Sequence, residues 1–122
     1  MKWFWWGLLV AVTGFAWWMY ATQHWRSHEQ GNHMHLLLFS MWTVTWFRAL
    51  AASGLRGRLA WGCAAAVPPG AAGVGELVQL VWHGGGHTAE WRGFFASVGG
   101  VAIGGAVALA VVLVQRWRAR RA

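Results

Sequence analysis

The chain has 122 residues, 57% of them hydrophobic and only 11% charged, with ten Lys/Arg against three glutamates and a formal net charge of +7. A soluble domain carries about 25% charged residues, and twelve tryptophans exceed what a soluble core of this size needs. An ordinary water-soluble domain, a disordered tail and, with Cys63 as the lone cysteine, a disulfide framework are therefore excluded. The lack of aspartate also excludes Ser-His-Asp triads, two-metal carboxylate clusters and EF-hands, which leaves a membrane-embedded domain as the expectation.

A spanning helix needs about 20 mostly apolar residues, and four runs qualify: 3–21, 35–53, 59–82 and 93–115. The connectors 22–34, 54–58 and 83–92 are short and carry helix-stopping glycine or charge. Connectors this short set successive helices antiparallel. The expected fold class is all-α: one integral membrane bundle of four antiparallel transmembrane helices over residues 1–122.

The first run resembles a signal peptide, but Trp17, Trp18, Met19 and Tyr20 stand where a small-residue cleavage site would be. It is read as a membrane anchor. The second run holds Trp42 and Trp46 as packing residues and Arg48 about 7 Å from its inner end. Arg48 is expected to snorkel to the cytoplasmic phosphates.

The third run contains Pro68, Pro69, Gly70, Gly73 and Gly75, so a kinked helix is expected, with backbone carbonyls left free beside Glu76. Glu76 lies about 9 Å inside the outer end. An ionisable group there costs roughly 2.5–3.5 kcal/mol unless it meets a partner or a wet cavity. Gln79 and His83 follow at helical spacing and extend a polar stripe to the outer surface. Two readings of Glu76 stay open, an inter-helix polar clamp and a site for a substrate or lipid headgroup. His35, Gln79, His83 and Arg92, at the mouth of the fourth run, are its candidate partners. Gly93, Ser97, Gly100, Gly104 and Ala108 form a small-residue stripe on the fourth run. Its GxxxG pair, Gly100 and Gly104, is expected to pack against the kinked third helix, with homodimerisation as the second reading.

Lys2, Arg56, Arg58, Arg116, Arg118, Arg120 and Arg121 fall on one side of this topology, and only Arg26 and Arg92 on the other. The positive-inside rule then places both termini in the cytoplasm. The same charge attracts anionic lipid headgroups; because it flanks the spans, nucleic acid is not an expected partner. A homo-oligomer or a membrane partner stays open. Tryptophans 3, 5, 6, 61 and 117 fall at the inner interface and 17, 18, 82 and 91 at the outer one. All six histidines, His24, His28, His33, His35, His83 and His87, fall on the outer side. His24/His28 and His83/His87 have metal-ligand spacing, but Gly84–Gly86 interrupt one pair and no Cys or Asp completes a set. No metal and no cofactor is expected.

These residues resemble the VanZ-like family of small bacterial membrane proteins. A His and an aromatic residue open that family's second helix, here His35 and Phe39. A Glu-x-x-Gln motif ends its third helix, here Glu76-Leu77-Val78-Gln79, and Gly100 and Gly104 match its glycine-rich last helix. Gly75, Gly93 and Ser97 stand where relatives carry an acidic residue, Asp and Asn. The match covers residues 31–105. It implies a non-enzymatic role in the cell envelope, of the kind linked to low-level resistance to lipid-tailed glycopeptides, with Glu76, Gln79 and His35 as site residues. The alternatives are a membrane enzyme using Glu76 as general acid/base, which lacks a nearby nucleophile, and an outer-side metal-binding accessory using the histidines.

Overall fold

The computed structural model describes the backbone of residues 1–22, 28–82 and 91–122, together with their side chains apart from 20–22, 28–32, 76, 78–80, 82 and 91–93. The chain is all-helical over these residues: α1 is Lys2–Thr22, α2 His28–Ala52, α3 Arg58–Trp82 and α4 Trp91–Arg121. The shortest has 21 residues, so each exceeds about 30 Å in length.

Two boundaries differ from the sequence expectation. α2 begins at His28, so His35 lies two turns inside the helix and does not open it. α4 continues to Arg121, because nothing in the run after Gln115 breaks a helix and its arginines suit the negative end of the helix dipole.

The α2–α3 connection is closed by backbone geometry. Gly54 adopts φ +88°, with Leu55 N–H donating to Leu50 C=O at 3.0 Å and Gly54 N–H to Ala51 C=O at 3.1 Å. This pair of bonds is a Schellman cap, which uses up two of the carbonyls left over at the helix end.

Named contacts give the directions of the helices. The first turns of α1 meet the last turns of α2. There the Trp6 indole donates to Ser53 Oγ at 2.8 Å, Trp6 packs edge-on against Trp46, and the Arg48 guanidinium lies 4.8 Å over Trp5. Arg48 thus shares its charge with an aromatic face. The end of α2 meets the start of α3 through Phe47 and Trp61, whose ring centroids are 4.3 Å apart. α2 and α4 run the same way, because Leu36 meets Gly100 while Ser40 and Thr43 meet Gly104. α2 is the central helix and touches the other three; α3 also touches α4.

The core has two parts around α2. Leu9, Val12, Phe39, Trp42, Ala49 and Ala72 form one, and Phe47, Leu50, Ala60, Ala64 and Ala108 the other. Trp42 is buried and Trp46 packs against both, as packing residues should.

The glycine stripe of α4 faces α2, not α3. A Cβ on Gly100 would sit 2.5 Å from the Leu36 carbonyl oxygen, and one on Gly104 2.5 Å from that of Ser40. The face expected to receive α3 or a second copy is therefore occupied. α3 itself runs unbroken through Pro68 and Pro69. The carbonyls deprived of an N–H donor belong to residues four earlier, Ala64 and Ala65, about 16 Å along the helix from Glu76. The expectation that they stand beside Glu76 therefore does not follow from the helical backbone.

Among the described residues, one stretch, Phe94–Arg121 of α4, is long and apolar enough to cross a membrane by length and hydropathy. The other helices are diluted by the residues that give them character: five tryptophans in α1, Ser40, Thr43, Thr45 and Arg48 in α2, and glycine, proline and Glu76 in α3.

Candidate functional site

Among the described residues, the fold brings His35 and Ser97 together in its interior. His35 stands seven residues into α2 and Ser97 six residues into α4. Because the two helices run in parallel, these positions meet across the interface. His35 Nδ1 lies 3.1 Å from Ser97 Oγ. His35 is 8% exposed and Ser97 0%, so the contact is shielded from solvent. The His35 ring stacks on Phe39, one turn along, with centroids 6.0 Å apart and planes 11° apart. Phe39 is itself 1% exposed and tilted against Trp42. A buried imidazole is costly unless its ring nitrogens find partners, and the Ser97 contact fixes one of them.

By sequence, Ser97 is expected only as a small packing residue. Its pairing with His35 follows from the observed helix starts, since each lies within about 11 Å of the N-terminal end of its helix. The approach of α4 needs no side chain at Gly100 and Gly104, one and two turns further along. The glycines thus set the interhelical distance at which so short a hydroxyl reaches the ring.

Of the remaining expected site residues, Glu76 and Gln79 belong by their backbones to the last turns of α3 and Arg92 to the first turn of α4. Glu76 is three residues beyond Gly73, which faces Phe94 of α4, and Ser97 is three residues inward of Phe94. The side chains of Glu76, Gln79 and Arg92 lie outside the described residues, as does the whole of His83 and its neighbour His87. Gly93 belongs to α4 by its backbone. Of the histidines, His33 is exposed and His24 lies outside the described residues. No group of three His, Cys, Asp or Glu side chains that could hold a metal occurs among the described residues.

A serine hydroxyl against an imidazole is the first element of an activated nucleophile. Ser97 is wholly enclosed, however, and its hydroxyl joins α2 to α4 in this packing. Ser97→Ala should therefore act on stability: loss of a buried hydrogen-bond partner costs about 1–3 kcal/mol, readable as a lower melting temperature in detergent. Ser53→Ala, which removes the exposed acceptor of Trp6, should change it by far less. Equal effects would mean that the buried His35–Ser97 contact holds α2 to α4 no better than an exposed bond does.

Three further polar atoms on α2, Trp42 Nε1, Thr43 Oγ1 and Trp46 Nε1, are buried without a hydrogen-bond partner. The other described hydroxyls of α2 return to their own helix, Ser40 to Leu36 C=O at 2.7 Å and Thr45 to Trp42 C=O at 2.9 Å.

Comparison with family models, with curated proteins and with solved structures gives no match to this chain.

Proposed function

We propose that this chain is a VanZ-like, non-enzymatic protein of the bacterial inner membrane. It crosses the bilayer four times as an antiparallel bundle, bends α3 at Pro68–Pro69 and keeps both termini in the cytoplasm. Its outer polar end, around His35, Ser97, Glu76, Gln79, His83 and Arg92, receives a lipid headgroup or a membrane partner. Through it the protein contributes to envelope integrity and antibiotic tolerance.

The observation that carries this reading is the apolar exterior. The core is mostly apolar, with His35, Thr43, Thr45 and Ser97 buried in it, and yet large apolar side chains are also exposed on every helix. Val10 and Trp17 on α1, Leu37 on α2, Leu77 and Val81 on α3, and Phe95 on α4 are each more than half exposed. Only 22% of the most apolar stretch of α4 is buried, too little for the core helix of a soluble protein. An exterior of this kind is stable in hydrocarbon and is a large aggregating surface in water. The helices are also long enough for a core of about 30 Å.

The test has two arms. Reporter fusions after residue 122 and within 83–90 should report opposite sides of the membrane. Glu76→Gln should insert and fold like the wild type but fail to restore tolerance to envelope-directed antibiotics in a deletion strain. Fusions on the same side would refute the four-span topology, and full restoration by Glu76→Gln would refute the polar site.

A further inference from the structure

The C-terminal end of α4 is not used by the bundle. Val112 is the last residue of α4 that packs, against the cluster of Phe47, Leu50, Ala60 and Ala64. From Leu113 to Ala122 every residue is exposed, while the helix continues to Arg121. A helical stub of nine residues, about 13 Å long, therefore extends past the last packed turn. Arg116, Arg118, Arg120 and Arg121 lie along it. Arg116 and Arg120 share one face by their spacing, and Arg118 and Arg121 the other. Arg121 folds back so that its guanidinium lies 3.9 Å over the Trp117 ring.

The same end of the bundle carries Lys2 and the exposed Arg56 and Arg58. Among the described residues no Asp or Glu side chain stands at this end to answer them. Glu29 is in the first turn of α2 and Glu76 late in α3, both toward the opposite end, and Glu90 lies outside the described residues. At helical spacing the arginines flank the exposed Leu113, Val114 and Trp117, while Gln115 and Ala119 take the opposite side. The complement of cations bordering an apolar flank is an anionic layer lying against hydrocarbon.

We propose that the stub, with Arg56 and Arg58, is a docking site for anionic phospholipid headgroups of the leaflet on that side. The inference rests on the membrane reading under Proposed function. The apolar run of α4 ends at Val114. The next 5–8 Å of helix would cross the headgroup layer, about that deep on each side of the hydrocarbon, and this distance contains Arg116, Trp117 and Arg118. Trp117 suits the interface between the two. Guanidinium groups bind phosphate oxygens through paired N–H donors, and juxtamembrane arginines gain most from a leaflet of negative surface potential.

The experiment uses the full chain reconstituted in phosphatidylcholine vesicles, with trace spin-labelled phosphatidylglycerol or spin-labelled phosphatidylcholine. The wild type should produce a motionally restricted lipid population with both probes and a several-fold preference for phosphatidylglycerol. That preference should fall to parity in the combined variant Arg116→Gln, Arg118→Gln, Arg120→Gln, Arg121→Gln. It should also weaken at about 1 M salt, where the Debye length is about 3 Å. An unchanged preference in the variant would overturn the proposal while leaving the membrane reading intact. No restricted lipid with either probe would instead overturn the membrane reading and the proposal with it. Loss of the preference on adding inorganic phosphate, beyond the loss caused by chloride at equal ionic strength, would make the ligand free phosphate and overturn the lipid assignment. Displacement by a short oligodeoxynucleotide would reassign the stub to nucleic acid.

Discussion

Gly100→Ile should prevent the native α2–α4 contact from forming. A Cβ at this position would stand 2.5 Å from the Leu36 carbonyl oxygen, 2.9 Å from Phe39 Cβ and 3.1 Å from the Ser40 nitrogen. Two of those atoms are backbone of the central helix, so no rotamer change relieves the clash. Gly104 has the same surroundings one turn along, with the Ser40 oxygen at 2.5 Å and Thr43 Cβ at 2.9 Å. Overpacking typically costs about 1–3 kcal/mol and occasionally more. Gly100→Ala or Gly104→Ala should fall in that range, and Gly100→Ile beyond it, because three more carbons must fit where one does not.

Neighbouring glycines supply the control. At Gly105, on the same helix, and at Gly70 on α3, a Cβ would meet nothing within 4 Å. Alanine there should be neutral or stabilising by up to about 1 kcal/mol, because it restricts the unfolded chain. Melting temperatures in one detergent would decide the matter. A Gly100→Ile protein as stable as the wild type would contradict the α2–α4 geometry.

The second large effect is expected at Phe39. Its side chain is 1% exposed and lies between the His35 ring and Trp42. Truncating a buried phenylalanine costs about 3–5 kcal/mol. Inside a bilayer the loss would come from packing more than from water exclusion, since lipid tails are as apolar as the core. Phe39→Ala should also remove the ring that orients His35 by stacking, weakening the contact with Ser97. Phe95→Ala, at a side chain 67% exposed, should lower the melting temperature little. Comparable losses at both positions would show that Phe39 is not a core residue.

Gly100 and Phe39 also show how far the fold is legible from residue spacing. His35 and Phe39 are four residues apart, so their stacking is a local consequence of helical spacing. The GxxxG pair announces a close helix contact, because only small residues let backbones approach. Spacing does not reveal the identity of the neighbour. Any helix could fill the groove, and the expectation of α3 follows chain order, whereas the observed partner is α2. Ser97 is obscured for the same reason. Within a small-residue stripe it reads as space, and it becomes a hydrogen-bond partner only when α2 and α4 stand side by side in register.

The all-helical class, the positions of most helix ends and the sorting of charge to one end are written in the amino-acid order, because apolar runs, glycine stops and arginine clusters act through local forces. The interior placement of tryptophans 42 and 46 belongs with them, since both stand deep in an apolar run. Tertiary packing settles the rest: that α2 is the central helix, that α4 lies along it rather than along α3, that His35 meets Ser97, and that α4 outruns the bundle by a basic stub. Each of these depends on which distant surfaces meet, and side-chain complementarity across helices has no period along the chain.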